Sequence, residues 1–536
     1  MTPSTLGLRV QEERGPDQNI ARLSTARTVF VGRTLRGPVN RPVPIKNFAE
    51  FQHTFGGLWQ PSRLSYAVEQ FFDNGGSDAL IVRVVNGARA PTLTLRAGDG
   101  ALTLTAASPG TREFLRASID YDNIPAGDVA RFNLTVQRLR MQGGNHIEDQ
   151  EIFPQLSMSQ EHERHVAHVL AQSELVRIAG ELPAQRPDCT LDSAAVPGGA
   201  YVSSKSDGDD GAPPTDYDVI GSRLERTSLF ALEDCDHFNL LCIPPPSRTE
   251  DLGVSVLLVA ERYCKERGAL LIVDPPYAWH TADDALAGLR DFALQSENAL
   301  MYFPRILAHD KLRGHFESFA PCGAVAGMLG RSDEARPVWG EPRLDETVLR
   351  QGFRPVCLVS EDRRMRLLLR GVNTLQAVRS VGRIGIRPRT LAAGSAGTQD
   401  WQSLAARRLA LFIIYSIERG TRWVIAAKPG PETAHLVTAQ VRTFFEQLHE
   451  SGAFGTRRRE EAFYVVCDRR RGSSEEFHFL IGFAAARPKE FHGYRISHSA
   501  SGTKVQPASL TRATLAEFCP EELDWVDKLA TQLQPP

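Results

Sequence analysis

Apolar positions along the chain change their period from one region to the next. Near the start, Leu6, Leu8 and Val10 alternate with polar neighbours, a short strand with no hairpin partner nearby in sequence. Thr28-Val29-Phe30-Val31-Gly32 is a continuous apolar run ending at glycine, as buried strands do. Phe48, Phe51 and Phe55 follow, before Gly56-Gly57. Leu64, Ala67, Val68, Phe71 and Phe72 then recur at helical spacing, with Ser62 placed to cap the helix and Gly75-Gly76 to stop it. Residues 79–85 form another apolar strand, which completes a β-α-β unit with a right-handed crossover.

From 91 to 215 the period shifts to two. Leu93-Thr94-Leu95-Arg96, Leu102-Thr103-Leu104-Thr105 and Phe132-Asn133-Leu134-Thr135-Val136-Gln137 predict a β-rich module, with a helix over 165–178. Residues 203–218 are rich in Asp, Gly, Ser and Pro and predict an exposed or partly disordered loop. Strands at 238–243, 269–273 and 299–303 then alternate with helices at 254–264 and 285–294. That spacing predicts a parallel or mixed sheet covered on both faces. Further on, 401–417 and 434–449 read as helices, and 423–427, 462–467, 477–484 and 490–496 as strands. The tail 501–536 carries a weak helical pattern interrupted near Pro520.

These elements predict a multidomain α/β (α+β) chain with mixed sheets flanked by helices, an inserted β-rich domain and extended N- and C-terminal arms. The expected divisions are an arm (1–27), a discontinuous main domain (28–90 and 216–385), an insertion (91–215), a C-terminal domain (386–500) and an extension (501–536).

Composition narrows the function. Lys and Arg number 62 against 64 Asp and Glu, so no bulk positive field is available to hold nucleic acid. Hydrophobic residues at 42% and charged residues at 24% describe a globular chain. No apolar run approaches the ~18 residues of a membrane span, and residues 1–13 contain no apolar core of a secretory signal. Eight cysteines are scattered without a CxxC pair, which predicts reduced thiols in a cytoplasmic product and argues against zinc.

Motifs for catalysis are missing. Neither GxxxxGK[ST], GxGxxG nor GxSxG occurs, so nothing supports a phosphate loop, a dinucleotide cradle or a nucleophile elbow. His162, His165 and His168 share one face of the expected helix, as metal ligands or as a solvated surface. Asp207, Asp209 and Asp210 imitate part of a calcium loop, but Gly211 falls one place early and Pro213-Pro214 breaks the frame. Asp274 ends a buried strand, where α/β enzymes place reacting groups; a cap on the turn at Pro275-Pro276 is the alternative. Arg457-Arg458-Arg459 is a short basic run beside Glu460-Glu461.

An ordered set of segments resembles the contractile tail sheath proteins. It begins with 29–38, 48–57, 66–76 and 81–84. It continues with Asn298-Ala299-Leu300-Met301-Tyr302-Phe303-Pro304-Arg305-Ile306, Pro321-Cys322-Gly323-Ala324-Val325-Ala326-Gly327 and Gly371-Val372-Asn373-Thr374-Leu375. The last segments are Ser416-Ile417-Glu418-Arg419-Gly420 and Arg487-Pro488-Lys489-Glu490-Phe491. The resemblance implies a homo-oligomeric, self-assembling sheath of stacked hexameric rings around an inner tube protein, bounded by baseplate and terminator or cap proteins. It implies no cofactor, metal, catalytic residue, direct nucleic-acid contact or membrane span. Assembly in the bacterial cytoplasm is implied too, as part of a phage tail or a released phage-tail-like particle. Family arms knit subunits through shared sheets, a role that falls here on Leu6, Leu8 and Val10 and on Phe491, Tyr494 and Ile496. The exposed face of helix 434–449 and the run Arg457, Arg458 and Arg459 are the expected tube contacts. Other readings are a low-copy sheath-like baseplate or cap component, and an α/β enzyme with a site near Asp274.

Overall fold

The computed structural model describes residues 19–140, 146–190, 201–340, 348–350, 352–375, 388–392, 399–427, 430–467, 476–488 and 490–508. Strand β1 (Thr28–Gly32) is followed by β2 (Val43–Ile45), α1 (Phe48–Phe55), α2 (Arg63–Asp73) and β3 (Ala79–Arg83). Asn47 caps α1 through the Glu50 N–H, and Ser62 caps α2 through the Ser65 N–H. Gly56, at φ 88°, ends α1 in a left-handed turn. β1 and β3 run parallel, as the crossover expectation requires.

Next come β4 (Thr92–Ala97), β5 (Gly100–Ala106), β6 (Leu115–Asp120), β7 (Arg131–Arg140), β8 (His146–Ser157), α3 (Val166–Leu170), β9 (Val176–Ile178) and β10 (Val202–Ser203). They make two sheets, β4-β5-β9 and β10-β6-β7-β8. The inward residues of both, including Leu93, Leu104, Phe132, Leu134 and Leu156, bury one core of their own. Two expectations need correction here. The helix predicted over 165–178 stops at Leu170, because Ser173 Oγ accepts the N–H groups of Leu175 and Val176 and Val176 then pairs with Ala106. The stretch 203–218 is not a free loop: Asp209 bridges to Arg89 and Ala212 to Asn86.

The chain continues through α4 (Asp216–Ile220), β11 (Leu240–Cys242), α5 (Val254–Arg267), β12 (Leu270–Val273), α6 (Ala282–Gly288), β13 (Ala299–Phe303), β14 (Ile306–Asp310), β15 (His315–Phe319), α7 (Cys322–Ala335), β16 (Arg354–Pro355), α8 (Glu361–Leu369) and β17 (Val372–Thr374). A seven-stranded sheet forms in the order β17-β13-β12-β11-β1-β3-β2, parallel except for β2. Alternation along the strands divides two cores. Val29, Val31, Leu241, Leu271 and Met301 face α5, whereas Phe30, Ile81, Leu240, Ile272 and Leu300 face α2 and α7. A small sheet, β15-β14-β16, stands beside it.

The last elements are α9 (Leu404–Gly420), α10 (Pro431–Glu450), β18 (Phe463–Cys467), β19 (Phe477–Phe483), β20 (His492–Ser499) and β21 (Gly502–Pro507). The four strands form an antiparallel sheet in chain order. The predicted strand at 423–427 is instead a 3₁₀ helix, Arg422–Ala426, which turns the chain from α9 into α10. There Val424 enters the core and Trp423 Nε1 donates to Gln440 Oε1 at 3.0 Å. Of the described residues, 29% are helix and 28% strand. No described helix is long and apolar enough to cross a membrane.

Candidate interaction site at the C-terminal sheet

The C-terminal sheet is held to α10 by stacked rings. Phe445 lies on Phe463 with centroids 4.8 Å apart, and Phe483 on Tyr494 at 5.8 Å. Helix α9 is buried on both sides: Leu404 joins the core of the seven-stranded sheet, and Leu409, Ile413 and Ile417 join that of the C-terminal sheet. Arg408 reaches Asp333 from α9 in an almost fully buried ion pair, and donates to the Thr25 carbonyl at 2.9 Å. Thr25 Oγ1 donates to Asp333 at 2.6 Å. Segment 19–27 is thereby pinned across α9, with Ile20 in the same core and against Gly420, where a Cβ would come within 2.8 Å of it.

Between α9 and the β20–β21 hairpin on one side, and residues 233–237 and 265–267 on the other, runs an open cleft of about 1060 Å³. Leu23 and Ala508 both line it. Asp236 spans it to Arg419 and Arg422. His237 beside it is pulled down to about 4 by burial and by Arg419 and Arg27.

The expected arm residues divide. Leu6, Leu8 and Val10 lie outside the described residues. Phe491 stacks on Tyr464 at 5.3 Å, and Tyr494 and Ile496 are buried in β20. In the single chain β20 has no free edge. Ile496 faces Phe479 of β19 on one side and Val505 of β21 on the other, and Tyr494 faces Ile481 and Pro507. The departure from an arm ending in a lone strand has a local cause. Residues 499–502 turn the chain back, Gly502 sits at φ 124°, and a further strand follows. His498 locks the hairpin, with Nε2 2.8 Å from Thr421 Oγ1 and Nδ1 2.9 Å from Thr503 Oγ1. Burial and Arg422 pull His498 to about 4. The Ser-Ala-Ser-Gly run at 499–502 was the sequence signal for this turn. Among the described residues, the outer strands of the sheet are β18 and β21.

The basic run precedes β18. Arg457, Arg458 and Arg459 are exposed, with Arg458 paired to Glu461 at 3.4 Å and Arg459 paired to Glu446 of α10. Asp274, at the end of β12, works as a cap: its Oδ1 accepts the Cys322 N–H at 2.8 Å, at the first turn of α7. Burial pushes this carboxyl up to about 6 against the opposing pull of Cys322 and Arg305. His165 precedes α3 with its ring centroid 5.3 Å from that of His168, and no cluster of three metal-binding side chains occurs among the described residues. Asp207 accepts both the N–H and Oγ1 of Thr92, and Asp210 both those of Thr111, so these carboxylates tie down the entry to the insertion.

The sheath tail protein from Listeria innocua matches with a TM-score of 0.59 over 89% of this chain and 96% of that one, at 12% identity. A sheath chain of the extracellular contractile injection system PVC, in its contracted state, matches at 0.50 over 91% and 96%, with 14% identity. A chain of the anti-feeding prophage baseplate matches at 0.50 over 91% and 97%, again with 14% identity. No protein-family model and no curated protein matches the sequence. The chain has the fold of the tail sheath proteins and of the sheaths of phage-tail-like contractile injection systems.

Proposed function

We propose that this chain is the structural subunit of a contractile sheath, polymerising as stacked hexameric rings around an inner tube and shortening to drive the tube through a target envelope. The observation that carries the reading is the shared fold over about nine-tenths of the chain, body, insertion and C-terminal sheet together. The C-terminal sheet supports it: among the described residues its outer strands, β18 and β21, each pair on one side only. An unpaired strand edge is a template for a strand from another copy. Residues 6–10 suit that role, with Leu6, Leu8 and Val10 on one side of the added strand. On the C-terminal side, Phe491, Tyr494 and Ile496 anchor the sheet, and the edge offered to a neighbour is that of β21. Such main-chain ladders hold while rigid bodies rotate and slide. Burying a further ~1,000 Å² per subunit on shortening has a gross scale of ~25 kcal/mol before association costs. Nucleotide hydrolysis has no part in this account. The inner tube and the baseplate and terminator or cap proteins are the partners, Arg457–459 and the outer face of α10 the tube contact, and assembly takes place in the bacterial cytoplasm.

The likeness to a baseplate chain favours a second reading, a low-copy sheath-like component of the baseplate or cap. Negative-stain microscopy of the protein expressed with its tube partner tests the first. Long striated cylinders are expected; dispersed single subunits under all assembly conditions overturn it. The number of copies per purified particle separates sheath from baseplate component.

A further inference from the structure

Helix α8 lies at the β17 end of the main sheet and is buried on one side only. Leu367 and Leu368 enter the protein, while Asp362, Met365, Arg366, Leu369 and Arg370 form an outward stripe at i, i+3, i+4, i+7 and i+8. The apolar members of that stripe are well exposed, Met365 at 44% and Leu369 at 61%, and Leu358 just before the helix is at 87%. The patch is also basic. Arg363 is held by Asp283 and Arg364 by Glu361, Arg366 lies 3.9 Å from Asp362 in a loose exposed pair, and Arg370 follows one turn on; the sequence contains no Asp or Glu between Asp362 and Asp400. An apolar face ringed by arginines calls for an acidic partner with large apolar side chains.

The chain supplies such a segment itself. Beyond Ala508, Glu517, Glu521, Glu522, Asp524 and Asp527 are interleaved with Leu515, Phe518, Leu523, Trp525, Val526 and Leu529, against Arg512 and Lys528 only. A run of contacts links Ala508 to the α8 side of the main sheet. Ala508 N–H donates to the Gly493 carbonyl, and His492 stacks on Trp401 at 4.1 Å. The Trp401 carbonyl accepts from Thr390 Oγ1, and the Arg389 N–H donates to Asn373 on β17, the strand that follows α8. At about 3.3 Å per extended residue, the chain reaches roughly 30 Å past Ala508 by residue 517. We propose that the acidic, apolar segment 515–529 docks on the Leu358–Met365–Leu369 face of α8 and shields it, with its carboxylates against Arg366 and Arg370.

The natural Cys519 allows a direct test in the full chain. Cys189, Cys235 and Cys357 are replaced by serine; Cys242, Cys264, Cys322 and Cys467 are buried and stay. A short bis-maleimide is then applied to Leu369→Cys, to Leu358→Cys and, for reference, to Val129→Cys on the insertion, a position 74% exposed. Docking predicts at least about fivefold more cross-linking to Cys519 from either α8 position than from the reference, and a loss of about fivefold with Arg366→Glu/Arg370→Glu or at high salt. Products within one chain or between two copies both place the segment on this face, and gel mobility tells them apart. Equal yields at all three positions, or yields indifferent to charge reversal and salt, overturn the proposal. All three cysteine positions are exposed, so folding is not at stake.

Discussion

A tight helix–helix approach, between α2 and α7, gives a prediction with its own control. Gly323, Gly327 and Gly330 all lie in α7. A Cβ on Gly323 would stand 2.0 Å from the Ala67 carbonyl oxygen, and one on Gly327 2.2 Å from that of Phe71. Ordinary contact begins at 3.4 Å, so either alanine must push two backbones apart by more than an ångström. At Gly330 the nearest atom, Gly76 Cα, is 3.6 Å away and a methyl group fits. Replacing glycine by alanine within a helix gains about 1 kcal/mol of propensity at each site. Overpacking of a filled interface costs about 3 kcal/mol at the upper end of its usual range. Gly327→Ala and Gly323→Ala should therefore be destabilised by about 2 kcal/mol, whereas Gly330→Ala gains up to about 1 kcal/mol. A chain of several domains does not unfold in two states, so amide hydrogen exchange of α2 and α7 is the appropriate assay. Exchange in these helices should speed up roughly 30-fold in Gly327→Ala and slow slightly in Gly330→Ala. Equal exchange in the two variants would refute the close-packing argument, because the propensity gain is common to both.

Other expectations follow from the same geometry. Asp333→Ala leaves Arg408 buried without its carboxylate and should cost about 3–5 kcal/mol, read as early denaturant-induced loosening of the C-terminal unit. His237 and His498 are held neutral with their values near 4, below the ordinary value of 6.5. The unfolded chain therefore binds more protons than the folded one between these values. This stability is complete above about pH 6.5 and is lost as pH falls toward 4; thermal melts across that window should show the C-terminal unit weakening on acidification, and less so in His498→Gln. Removing residues 1–18 should leave melting unchanged and abolish polymerisation, checked by sedimentation.

Much of the body was legible because buried parallel strands announce themselves. Residues 28–32, 79–83, 270–273 and 299–303 are apolar runs with turn residues after them, and each is a strand. Where the pattern misled, a side chain or a neighbour decided instead. Ser173 started a strand inside a helical period, and Trp423 sat in a 3₁₀ turn with its indole bonded to Gln440 of α10. The paired edges of β20 depended on a strand with little apolar signal, Gly502-Thr503-Lys504-Val505-Gln506-Pro507, held by main-chain bonds and by His498. Asp274 was legible as a strand-end carboxylate, but its partner, the α7 N-terminus, lies 48 residues along the chain.

A cryo-electron microscopy map of the assembled protein at side-chain resolution tests the account most directly. It should show six-fold rings stacked around a tube, with residues 6–10 of one copy paired to an open edge of the C-terminal sheet of the next. A map in which every copy is isolated, with that segment folded against its own subunit, would contradict it.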